Sequence, residues 1–183
     1  MNKYYGFTVS KFFLIMSALL FTLVSMAQST TKEKKLVKDC RESKEEFIAT
    51  DGLMSNLFKS AYGYVIFPNV GKGGMGIGGA VGNGIVYEKG AIIGKAKLTQ
   101  LSIGFQFGGQ AYREVIFFET KADMDRFKEN KIEFSAQASA VAVTVGASAN
   151  VKYKDGVMIF TQQKGGLMYE ASVGGQKFNY TSF

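Results

Sequence analysis

The chain is 183 residues long, carries 22 Lys and Arg against 15 Asp and Glu, and contains 22 glycines, one cysteine and no histidine or tryptophan. Without histidine, Ser-His-Asp and Cys-His catalysis, imidazole acid–base chemistry and His-ligated metal sites are unavailable; the lone Cys40 excludes both an intrachain disulfide framework and a thiolate metal cluster. An enzyme would have to work with carboxylates, Lys or Tyr alone, so no catalytic activity, cofactor or metal is expected.

Lys3 and Lys11 are the only charges before Lys32, and the stretch from Phe12 to Ala27 is apolar or small. A basic start, a short apolar run and a Ser25-Met26-Ala27 ending read as a signal peptide over 1–27. The run is shorter than the ~20 apolar residues that span a bilayer, although an uncleaved anchor is the alternative. Cleavage would remove Lys3 and Lys11 and lower the net charge from +7 to +5. The protein is then expected in a bacterial periplasm or cell envelope, or secreted. A mild positive charge favours anionic surfaces and gives no sign of nucleic-acid binding.

Residues 28–60 read as a helical segment and 61–183 as a β-rich domain. From Thr30 to Ile48 the chain is charged and free of Gly and Pro. At ~100° per residue, Leu36, Val37, Cys40, Phe47 and Ile48 share one sector of a helix. Lys34, Lys38 and Arg41 flank one edge of that sector, and Lys44 falls inside it. These four are candidate lipid-binding residues. Acids nearly balance bases here, so a helix laid on the domain fits better than one lying in a membrane. A second short helix is expected from Leu53 to Ala61.

A strand over Tyr64–Phe67 should stop at Pro68. From Gly74 to Gly84 every even position is Gly or Ala, which in a strand leaves one face almost bare. Gly74, Gly76, Gly78, Gly82 and Gly84 are therefore taken as structural glycines, against which a helix or second sheet packs. Gly71-Lys72-Gly73-Gly74-Met75-Gly76 matches a dinucleotide fingerprint in letters only. The Gly-rich residues that follow cannot begin the helix that a pyrophosphate needs, so no nucleotide is expected. Glu88-Lys89-Gly90 is a turn. Lys95 and Lys97 share a strand face, as do Lys152 and Lys154. Lone pairs of this kind usually mark a solvated face; Lys95 and Lys97 are kept as candidate lipid contacts.

Leu101 to Phe107 alternates, Val115 to Phe118 is an apolar run, and Thr120 with Asp123 forms a capping box that opens a helix holding Met124 and Phe127. Phe134 to Tyr153 has period-two character. Strands are expected over Val157–Gln162, Leu167–Ser172 and Lys177–Tyr180. The whole reads as an α+β domain. It has a glycine-rich, mostly antiparallel sheet or partly closed barrel, one or two N-terminal helices and a short helix near 121–129.

Three blocks resemble the SYLF domain, also known as the yeast actin-patch lipid-binding family. They are Ile66-Phe67-Pro68 running into Gly71, Gly73-Gly74, Gly82 and Gly84; Gly104 to Gln110 with the strand to Phe118; and Gly165 to Gly175. In this order they cover most of Ala61 to Phe183. The resemblance implies a lipid-binding domain; eukaryotic members bind phosphoinositides and, in some fungi, actin. For an exported chain it implies binding of anionic phospholipid or a membrane surface, and not of actin. A non-catalytic structural or assembly protein of the cell envelope is the alternative.

Overall fold

The computed structural model describes residues 30–75, 77–103, 110–134, 139–164 and 171–183. The signal-peptide reading of 1–27, Gly76, and most of the second and third family blocks lie outside the described residues. Two compact units divide the chain, Met1–Val37 and Lys38–Phe183. Residues 30–50 are helical (α1), and Met54–Ser60 form α2. Eight strands follow: β1 (Gly63–Met75), β2 (Ile77–Glu88), β3 (Ala91–Ile103), β4 (Gln110–Phe118), β5 (Ser139–Ala142), β6 (Val157–Gln163), β7 (Ala171–Ser172) and β8 (Gln176–Ser182). Helix α3 (Lys121–Lys128) lies between β4 and β5.

The strands form one sheet in the order β7-β5-β6-β4-β1-β2-β3-β8, with β5 and β6 the parallel pair among antiparallel neighbours. The sheet is not closed. Its outer strands β7 and β8 are nonetheless consecutive in the chain, and the segment around Glu133 and Phe134 reaches across to the start of β8. Glu133 bridges to Lys177, Phe134 N–H donates to Gln176 O at 3.3 Å, and Gly175 N–H donates to Phe134 O at 3.0 Å.

Alternation along each strand gives the sheet two unlike faces. The inner face buries Val65, Phe67, Val86, Leu98, Ile116, Phe118 and Phe178, sealed by Met124 and Phe127 of α3. Helix α3 starts where the capping box was expected: the Thr120 hydroxyl accepts from Asp123 N–H, and Thr120 N–H donates to the Asp123 carboxylate. The outer face is covered over β1, β4 and β6 by the helices. Cys40, Ser43 and Phe47 of α1 are buried, the Cys40 thiol donates to Ile66 O at 3.3 Å, and Phe58 of α2 packs edge-on to Tyr64 and Phe117. Asp51, between the helices, accepts from Ser148 N–H and Oγ at 2.9 and 2.7 Å and from Leu53 N–H.

Three expectations change. Pro68 does not end the strand: β1 continues to Met75, because Pro68 sits in an irregularity of register against both β2 and β4, where its missing N–H costs no ladder bond. At Gly82 and Gly84 the bare face of the glycine strand meets the neighbouring strand β1 rather than a helix or a second sheet. It points inward, and β1 closes on it. A Cβ on Gly84 would lie 2.5 Å from Ile66 O and 2.7 Å from Phe67 Cδ1, and one on Gly82 would lie 3.0 Å from Val70 Cγ2. Gly74 and Gly78 pair with each other across the β1–β2 ladder. Among the described residues between Phe134 and Tyr153 the period-two reading yields only β5; a 3₁₀ turn over Ala147–Asn150 follows, entered through Gly146 at φ 74°.

The inner face also carries polar groups. Glu114 and Gln176 are fully buried, and the Gln176 amide donates to Glu114 Oε2 at 3.0 Å across the interior, from β8 to β4. Glu114 faces Thr161 across the β4–β6 ladder and shares its strand face with Tyr112. Glu114 Oε1, Gln176 Oε1, the Tyr112 hydroxyl and Thr161 Oγ1 meet no hydrogen-bond partner of good geometry. Burial pushes the Glu114 carboxyl up to about 8, and the bond from Gln176 only partly offsets this.

Candidate functional site

The candidate cations on α1 divide by side. Lys34, Lys38 and Arg41 are exposed, and Lys38 pairs with Glu42 at 3.5 Å one helical turn away. Lys44 is turned into the protein. Its ammonium hydrogen-bonds the Tyr64 hydroxyl at 3.3 Å and stands 4.8 Å from the Phe58 ring centre, and burial lowers its pKa. The helical wheel already put Lys44 inside the apolar sector, and Cys40 and Phe47 flank it there as buried neighbours. Burial likewise pushes the Cys40 thiol up to about 12, which keeps it protonated and unreactive.

Beyond the helices, which also cover Ile85 and Tyr87 of β2, the outer face of β3, β8 and the Val81–Asn83 part of β2 is exposed. Lys95 and Lys97 project from it together, because Gly94, Ala96 and Leu98 between and beside them take the buried face. Lys97 lies opposite Asn83 on one side and Asn179 on the other, and Thr99 lies between Val81 and Lys177. Lys95 stands 5.9 Å from the Phe183 ring centre, and Lys177 pairs loosely with Glu133 at 3.4 Å. Farther along the same face, Val81 is 53% and Leu101 82% exposed. They are diagonal neighbours, since Leu101 pairs with Gly79 and Val81 with Thr99. Three ammonium groups with two large apolar side chains beside them can face an anionic, partly apolar interface.

Sequence reasoning found Lys95 and Lys97 through their spacing. It missed Lys177, Val81 and Leu101, which join them only through non-local strand pairing. It also passed over a cleft of about 420 Å³ between the end of α3 and the segment before β6. Arg126, Lys131, Lys152 and Lys154 line it with Glu133 and Asp155, over a floor that includes Ile132, Phe134, Val141 and Val157. Arg126 is committed within the fold, to the Asp123 carboxylate at 2.8 Å and Asp155 O at 2.6 Å, and Lys131 pairs with Glu129 at 2.6 Å.

Residues 99–181, from the last five residues of β3 into β8, match the Ysc84 family, described as Las17-binding protein actin regulator. This is the SYLF-domain family, and the match covers residues 99–181. Beta cell expansion factor A of Aeromonas veronii is 30% identical over 125 residues, which are 67% of this chain and 47% of that protein. The chain thus spans about half the length of the curated relative it matches. The SYLF match begins at Thr99, so it includes Leu101, Lys177 and the cleft cations but not α1, Lys95 or Lys97. Among the described residues, no helix is long and apolar enough to cross a membrane.

Proposed function

We propose that this protein is a non-catalytic lipid-binding protein that docks on anionic membrane surfaces through the uncovered face of β2, β3 and β8. The observation that carries this reading is the grouping of Lys95, Lys97 and Lys177 with exposed Val81 and Leu101 on one face. Each ammonium near an anionic surface contributes ~1 kcal/mol, and the two apolar side chains add burial where they meet the interface. The SYLF match supports the lipid class. Lys34, Lys38 and Arg41 are a further set of exposed cations, on α1, whereas Lys44 serves the fold. The apolar N-terminal run leads us to assign the protein to a bacterial envelope or the secreted fraction, where neither cytosolic actin nor cytosolic phosphoinositides are met.

Vesicle flotation tests this. The protein should float with vesicles containing phosphatidylglycerol, bind phosphatidylcholine vesicles poorly, and detach as salt rises. Lys95→Glu with Lys97→Glu should abolish flotation without lowering Tm, and Lys34→Glu, Lys38→Glu and Arg41→Glu together should weaken it. Unchanged flotation in both variants would remove these faces from the function. Failure to bind vesicles of any charge would favour the assembly reading instead, with Val81 and Leu101 meeting another protein copy.

A further inference from the structure

The cleft beside α3 is built differently from the exposed sheet face. Its apolar floor opens directly into the core, since Ile132 and Phe134 belong to the main buried cluster and Val157 packs against it. Its outer wall is a two-residue hairpin. Lys154 and Val157 exchange both backbone hydrogen bonds, and Asp155 and Gly156 between them take φ of 52° and 79°. Asp-Gly is the pair that a tight hairpin of this hand requires, because both central residues need positive φ. Arg126 bonds Asp155 O, and Gly156 lies directly against the Asp123 carboxylate with no room for a side chain. The wall is thus fastened to α3 at two points, and Lys152 and Lys154 stand on it one pleat apart.

The opposite wall is as firmly set. Asn130, just past the Glu129 cap of α3, takes φ 58°, and its side-chain oxygen accepts from Tyr180 N–H at 2.7 Å. From there Ile132 and Phe134 turn inward while Lys131 and Glu133 alternate outward. Of the charged groups lining the cleft, Arg126, Lys131 and Glu133 have ionic partners of their own, Asp123, Glu129 and Lys177. Among the described residues no ion pair engages Lys152 or Lys154. Even with Glu133 and Asp155 counted, the lining carries two more positive than negative groups. The volume falls within the usual range for small-ligand sites, about 300–1,000 Å³.

We propose that this cleft binds one single-chain amphiphile with a phosphate head, the phosphate on Lys152 and Lys154 and the chain over Ile132, Phe134, Val141 and Val157. A phosphate monoester carries roughly −1.5 to −2 at neutral pH, which two adjacent ammonium groups balance. The apolar floor then separates an alkyl phosphate from free phosphate. The inference rests on the lipid-binding reading above but uses other residues, so the two can fail separately.

Calorimetric titration of the purified protein with dodecyl phosphate, below its micelle concentration, tests this. One molecule should bind saturably per chain. Inorganic phosphate and dodecanol should each bind at least about tenfold more weakly, because each lacks one half of the recognised group. Lys152→Glu with Lys154→Glu should weaken dodecyl phosphate about tenfold or more, at ~1 kcal/mol per base, without changing Tm. Lys95→Glu with Lys97→Glu should lose vesicle flotation yet keep dodecyl phosphate binding. Unchanged affinity in the cleft variant would overturn the assignment. So would equal binding of inorganic phosphate, or no binding at all, even if flotation is intact.

Discussion

Glu114 makes the stability of this protein depend on pH in a window where little else titrates. In the fold its carboxyl is raised from 4.5 to about 8 by burial inside the sheet, beside Gln176 and Thr161. In the unfolded chain it returns to the ordinary glutamate range, so between about pH 4.5 and 8 the folded state holds a proton that the unfolded state has lost. Stability from this group is therefore complete below about 4.5, and it is lost as pH rises through about 8. At ~1.36 kcal/mol per unit, the full swing is of order 5 kcal/mol at most. The chain has no histidine, so no other side chain of ordinary pKa titrates between pH 5 and 8. Glu114→Gln keeps the shape and the bond from the Gln176 amide but cannot ionise. Urea unfolding from pH 5 to 8.5 should show the parent protein losing several kcal/mol while Glu114→Gln stays nearly flat, with the two curves meeting near pH 5. Parallel profiles would mean that Glu114 is hydrated or paired with a cation, and the reasoning about its burial would be wrong.

Gly84→Val should lower stability by roughly 3 kcal/mol or more, since its Cβ would press on the Ile66 carbonyl, whereas Gly71→Ala, with nothing within 4 Å, should stay within about 0.5 kcal/mol; equal Tm values would show that the inner face has room. Asp51 is held below the ordinary carboxylate range because hydrogen bonds from Ser148 and Leu53 outweigh the opposing effect of burial, so the stability it lends is present above that range and lost as pH falls through its lowered pKa. Asp51→Ala should cost roughly 2–3 kcal/mol at pH 7, and a double-mutant cycle with Ser148→Ala should show coupling; strict additivity would deny the contact. N-terminal sequencing of protein from the envelope fraction should begin at or near Gln28, and a dominant form that retains Met1 would overturn the signal-peptide reading.

The sequence by itself determined what depends on local patterning. Helix periodicity assigned Cys40, Phe47 and Lys44 to one side of α1, and they are buried or half-buried together. Thr120 and Asp123, three apart, announced α3, and the alternation around Gly94, Ala96 and Leu98 put Lys95 and Lys97 on one face. Pairing between distant strands decided the rest. Nothing local says that Lys177 lies beside Thr99, that Gln176 reaches Glu114, or that Lys152 and Lys154 stand opposite Ile132 and Phe134. Alternation fixes two faces of a strand without saying which is covered. Only the assembled sheet decided that the bare glycine face turns inward under Phe67 and Val70, and that the helices stop short of β3 and β8. That shortfall leaves Val81, Leu101 and the lysines in reach of a partner, because an apolar side chain stays exposed only where no element of the same chain arrives to bury it.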